Sequence, residues 1–181
     1  MDEGKIFHFG YPPLMRRIYV DGGRELSTLL DRAKAQGFVT SLDVSRPDPN
    51  SDAGRVDWRA FLEQVLPKVD IFLPGFEEMV LMLRRDQASM AEIDGPDLNE
   101  LAGELLDLGV AFAGLKLGDQ GIYLRTAADQ GRMRPVADAL SLDLRPWLDR
   151  ELLAPAFAAN LVGTTGAGDC AIAGFLTGLV K

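Results

Sequence analysis

Along most of this chain, short apolar runs alternate with longer stretches in which apolar residues recur every three or four positions. Runs of four to eight residues closed by turn formers read as strands, and the three-to-four spacing reads as helices with one buried face. Strands are expected at Ile6–Phe9, closed by Gly10-Tyr11-Pro12-Pro13, at Phe38–Leu42, closed by Asp43, and at Ile71–Leu73, closed by Pro74-Gly75. A further strand at Val110–Leu117 stops at Gly118, and Gly121–Arg125 follows closely enough to be its antiparallel hairpin partner. Helices are expected at about Arg24–Gln36, Trp58–Leu66, Phe76–Arg84, Leu98–Leu108 and Gly166–Val180. The alternation predicts an α/β fold, a mostly parallel sheet covered on both faces. The stretch Gln130–Leu161, with Pro135, Pro146 and Pro155, shows no legible period and receives no elements.

Composition narrows this picture. With 181 residues and 47% hydrophobic content the chain can bury one sizeable core, and residues 1–181 are expected to form a single domain. A net charge of −8, with no basic cluster against it, argues against nucleic acid as a partner. The single cysteine, Cys170, excludes an internal disulfide framework. Met1-Asp2-Glu3-Gly4-Lys5 has neither the basic flank nor the apolar core of a signal peptide, and no apolar window is long enough for a membrane span. The expected compartment is the cytoplasm.

In open α/β sheets ligands collect beyond the carboxyl ends of the strands. Asp43, Glu77 and Glu78, the Lys116–Gly121 turn and the Gly163–Asp169 turn all fall there. Most of them have a plain reading as well. Asp43 could be a cap, Glu77 and Glu78 suit the first turn of any helix, and Gly118–Gly121 suits a hairpin. The turn Gly163-Thr164-Thr165-Gly166-Ala167-Gly168-Asp169 is harder to assign to structure alone, because a cap does not require two glycines and an acid together. It opens a helix, where free N–H groups and the helix dipole favour an anion. No Gly-x-x-x-x-Gly-Lys loop is present. Gly166-x-Gly168-x-x-Ala171 matches a dinucleotide fingerprint only formally, since the following strand and acidic residue are lacking before Lys181.

Thr164–Asp169 and the run Cys170-Ala-Ile-Ala-Gly-Phe-Leu closely resemble the C-terminal signature of the ribokinase-like (PfkB) carbohydrate kinases. Three other segments agree in order. Phe38–Asp43 resembles the family's strand ending in Asp, Leu73–Glu78 its Leu-Pro-Asn-x-x-Glu segment, and Leu115–Gly121 its nucleotide loop. The resemblance implies a Rossmann-like three-layer α/β/α sandwich, here incomplete and carrying the nucleotide-binding half. It implies an ATP-dependent phosphotransferase acting on a hydroxyl of a sugar or nucleoside, with Asp169 as catalytic base. The amides of Gly166, Ala167 and Gly168 then form the anion hole, Lys116, Gly118, Gly121 and Thr165 line ATP, and Glu78 organises Mg²⁺ through water.

Two positions depart from the pattern: Gly163 stands where many members have Asp, and Gly75 where many have Asn. Relative to the family the chain also lacks the N-terminal sugar-binding portion and the C-terminal end. It is therefore expected to be a fragment, or to need a completing chain or a second copy of itself. The alternative to a kinase is a non-catalytic half-domain that keeps nucleotide affinity or structure only. His8 reads as strand packing, Cys170 as a small packing residue, and Trp58 and Trp147 as helix packing.

Overall fold

The computed structural model describes residues 4–83, 95–158, 160 and 163–181. Six strands form one sheet in chain order: β1 (Ile6–Phe9), β2 (Val39–Leu42), β3 (Ile71–Phe72), β4 (Phe112–Lys116), β5 (Ile122–Thr126) and β6 (Glu151–Ala154). The first four run parallel, and β5 and β6 return antiparallel. Seven α-helices accompany them among the described residues: α1 (Arg16–Tyr19), α2 (Arg24–Ala35), α3 (Trp58–Val65), α4 (Phe76–Leu83), α5 (Gly95–Asp107), α6 (Gln130–Leu140) and α7 (Ala167–Leu179). Each parallel crossover steps in the same direction along the sheet, so the right-handed rule puts α2 to α5 on one face. Leu26, Leu30, Phe61, Leu62, Met79 and Leu101 pack there against Leu42, Phe72 and Leu115. On the other face Met133, Val136 and Leu140 of α6 and Ile172 and Leu179 of α7 pack with Val39, Ile71 and Phe112.

The expected strands and helices are all present, with no described end moved by more than three residues. Arg84, the last residue of the expected fourth helix, lies outside the described residues. The stretch that carried no expectation contains α6 and β6. In α6 the buried residues Met133, Val136, Ala137 and Leu140 hold helical spacing, and Asp129 caps the first turn by accepting from the Gly131 N–H at 2.7 Å. Pro135 deprives only the Gly131 carbonyl of its partner, and both residues face water. Strand β6 is exposed along its whole length and is held through its pairing with β5. Helix α7 is less enclosed than its composition suggests, because only Ile172 and Leu179 are buried.

Candidate active site

Strand periodicity aims the site. Residues 39, 41 and 43 share one face, so Asp43 projects just past β2 on the side occupied by α7. His8 pairs in register with Ser41 on that face, and its Nδ1 lies 3.0 Å from the Ser41 hydroxyl. Strand β4 ends at Lys116, whose N–H donates to the Pro74 carbonyl at 2.9 Å and whose backbone bridges to Gly75. The Lys116 ammonium donates to both Asp43 carboxylate oxygens, at 2.9 and 2.8 Å. The Asp43 side chain is 1% exposed and that of Lys116 17%. A Cβ built on Gly168 would stand 3.5 Å from the same ammonium nitrogen, so Lys116 lies against the first turn of α7.

The turn before α7 is closed by the Ala167 N–H, which donates to the Thr164 carbonyl at 3.0 Å. Gly166 has φ 80° and ψ 0°, the left-handed geometry that the third residue of a type II turn requires. Thr165 and Asp169 are exposed. Asp169 accepts a hydrogen bond from the Tyr11 hydroxyl. Tyr11 itself sits in the left-handed region, at φ 57°, and its N–H donates to the Asp43 carbonyl at 3.2 Å. Buried Pro12 and Pro13 fix the chain immediately beyond it.

Glu78 lies in the first turn of α4, and its carboxylate folds back over Gly75. A Cβ on Gly75 would meet the Glu78 Oε2 at 1.7 Å. Glu77 points to solvent. Leu117 to Gly121 form the β4–β5 hairpin, with φ 63° at Gly118 and φ 107° at Gly121 and a 2.8 Å bond from the Leu117 N–H to the Gly121 carbonyl. Gly118 has open space beside it, whereas a Cβ on Gly121 would come within 2.0 Å of the Ala154 carbonyl oxygen.

The charges act on one another. Burial pushes the Asp43 carboxyl up to about 6 against the pull of Lys116, with Glu78 adding to the rise. The hydrogen bond to Asp169 pushes the Tyr11 hydroxyl up to about 12, helped by desolvation and by the charges of Asp169, Asp43 and Glu78. His8 is lowered, first by desolvation and then by Lys116, with Asp169 opposing. Among the described residues no three His, Cys, Asp or Glu side chains are grouped to hold a metal ion directly.

The structure therefore brings Lys116, Gly168 and Asp169 together with Asp43, while Gly118 and Gly121 shape the hairpin beside them. It adds two residues that the sequence reading did not select. Tyr11 was passed over, and His8, read as packing, is an exposed residue that feels both Lys116 and Asp169. The available signal was position, since both lie at the carboxyl end of a parallel strand.

A family model described as pfkB family carbohydrate kinase matches residues 20–181. The chain belongs to the PfkB family of carbohydrate kinases. An uncharacterized sugar kinase of Archaeoglobus fulgidus is 26% identical over 120 residues, covering 66% of this chain and 35% of the relative. An ATP-dependent 6-phosphofructokinase of Thermoanaerobacterium thermosaccharolyticum is 24% identical over 181 residues, 100% of this chain and 45% of the relative. The chain thus spans less than half the length of these two relatives. The aminoimidazole riboside kinase of Salmonella enterica, solved with aminoimidazole riboside and an ATP analog, shares the fold. Its TM-score is 0.63 at 19% identity, over 98% of this chain and 48% of that one. Ribokinase of Arabidopsis thaliana, solved with ribose and ATP, gives a TM-score of 0.57 at 21% identity, over 85% of this chain and 38% of that one.

Proposed function

We propose that residues 1–181 form one unit carrying the nucleotide-binding half of an ATP-dependent phosphotransferase whose acceptor is a hydroxyl of a sugar or nucleoside. The observation that carries this reading is the meeting of the Lys116 ammonium with the first turn of α7, one residue before the Asp169 carboxylate. PfkB membership, and similar structures solved with ribose and ATP or with a riboside and an ATP analog, support it.

In this reading Asp169 takes the proton of the acceptor hydroxyl as its oxygen bonds to the γ-phosphorus. The bond from that phosphorus to the β–γ bridging oxygen breaks, and ADP leaves. Phosphoryl transfer proceeds through a loose transition state, so holding the reactants in line and balancing equatorial oxygen charge matter more than a strong base. The amides of Gly166, Ala167 and Gly168 face the transferring group, each donor worth about 3 kcal/mol in sites of this kind. Lys116, Thr165, Gly118 and Gly121 line the nucleotide. For Ala167 this requires its N–H to leave the Thr164 carbonyl when an anion binds.

The donor set suits a hydrated Mg²⁺ bound with the nucleotide rather than in a protein cage. Glu78, whose carboxylate lies where a side chain at Gly75 would stand, would hold it through water. When bound, Mg²⁺ neutralises phosphate charge.

Calorimetric titration of the chain with ATP, with and without Mg²⁺, tests the reading. Saturable Mg²⁺-dependent binding is expected, abolished by Gly168→Val, whose side chain would press on Lys116, and largely spared by Asp169→Asn. Absence of binding by the folded chain would overturn it in favour of a non-catalytic half-domain.

A further inference from the structure

We propose that Asp43 is the positioning residue that aims the Lys116 ammonium at the phosphate chain of the nucleotide, an inference that rests on the phosphotransferase reading above.

A lysine ammonium has three N–H bonds. One or two of them are taken up by the Asp43 carboxylate, whose oxygens lie at 2.9 and 2.8 Å. Tetrahedral geometry then leaves at least one N–H directed away from Asp43. The structure puts Gly168 close by, with only a hydrogen at the position where a Cβ would stand 3.5 Å from the nitrogen. An anion seated on the first turn of α7 would therefore find a donor already oriented.

The Lys116 backbone is tied to Pro74 and Gly75, which leaves the four-carbon stem as the mobile part. Bidentate pairing with a carboxylate that is itself 1% exposed removes that mobility before any ligand arrives. Asp43 is too enclosed to serve as a surface cap, and the Tyr11 N–H bound to its carbonyl ties the same residue to the loop that reaches Asp169. Burial of this pair is expensive, as the raised Asp43 pKa records, so its worth to the fold alone is small.

Charge alone gives the opposite expectation for a substitution, which makes the idea sharp. If Asp43 acted only through its field, removing its negative charge would tighten binding of an anion. If it positions Lys116, removal lets the ammonium swing away and weakens binding.

The test is calorimetric titration with MgATP of the wild-type chain, Asp43→Asn, Lys116→Met and the double variant, with folding checked by circular dichroism. Asp43→Asn is expected to raise Kd about tenfold or more, the loss of one charge-assisted hydrogen bond. Lys116→Met is expected to do the same, and the double variant to bind no more weakly than Lys116→Met alone. Unchanged or tighter binding by Asp43→Asn overturns the proposal and leaves the phosphotransferase reading standing. So does a double variant weaker than Lys116→Met, because Asp43 would then act through the fold. That comparison keeps the proposal open to refutation even if Asp43→Asn alone does not fold, since the double variant buries no unpaired charge. No binding by the folded wild-type chain overturns both readings.

Discussion

Asp43 should leave its mark on the pH dependence of stability. Its carboxyl has an ordinary value of 3.8 and rises to about 6 in the folded chain, burial outweighing the attraction of Lys116. Between those values the folded chain retains a proton that the unfolded chain has released. The folded state therefore binds more protons, and Asp43's contribution to stability is largest below about pH 4 and is lost as pH rises through about 6. A difference of about 2 units corresponds to about 3 kcal/mol, undiscounted because the side chain is 1% exposed. The perturbation is Asp43→Asn, which cannot titrate. Urea unfolding of both chains from about pH 4 to about pH 8, followed by tryptophan fluorescence, gives stability at each pH, and subtraction removes the other carboxylates. The wild-type value minus the variant's should fall by about 3 kcal/mol across the window. A flat difference would refute the reasoning. A difference that rises with pH would show instead that Lys116 holds the carboxylate more strongly than burial penalises it.

Two further outcomes follow from the same geometry. Tyr11 keeps its proton up to about 12 because its hydroxyl donates to Asp169, so Asp169→Asn should bring one tyrosine ionisation back toward the ordinary 10.0, read by absorbance near 295 nm; an unchanged curve would separate the two residues. Gly121→Ala would push a methyl against the Ala154 carbonyl at a φ of 107° that alanine disfavours, and should cost about 3 kcal/mol or more in urea unfolding, with the β5–β6 end losing hydrogen-exchange protection first.

Much of the sheet was legible because its buried strands are short, apolar and closed by turn residues, as at Ile71–Leu73 before Pro74. The helices with a clean apolar stripe, such as Leu26, Leu30 and Ala33 in α2, were equally plain. What escaped did so for identifiable reasons. In α6 a proline on the wet face hid a correct helical spacing on the dry one. In β6 both faces are exposed, so no alternation exists to be read, and only pairing with β5 defines the strand. At the site, the glycine turn and Asp169 announced themselves by composition, and Lys116 by its place at the end of a strand. Tyr11 and His8 share that strand-end position, but what they touch depends on β1 lying beside β2, a long-range fact that no local pattern contains.

Gly75 shows how a departure in sequence can be absorbed in space. As a sequence, glycine in place of asparagine subtracts a polar group from the acid side of the site. In the fold, the Glu78 carboxylate lies in the volume that a side chain at 75 would occupy, leaving no room for both in this arrangement. The polar group at this point comes from three residues further along, on the first turn of α4, where the helix dipole favours a negative charge. Its field reaches Asp43 and Tyr11, raising both. Lys116 is the joint at which these pieces meet. Its backbone borders Gly75, its ammonium holds Asp43, and it lies against Gly168. Separated widely in the chain, these residues become a single electrostatic unit because β2, β3 and β4 are consecutive parallel neighbours that end at the same edge.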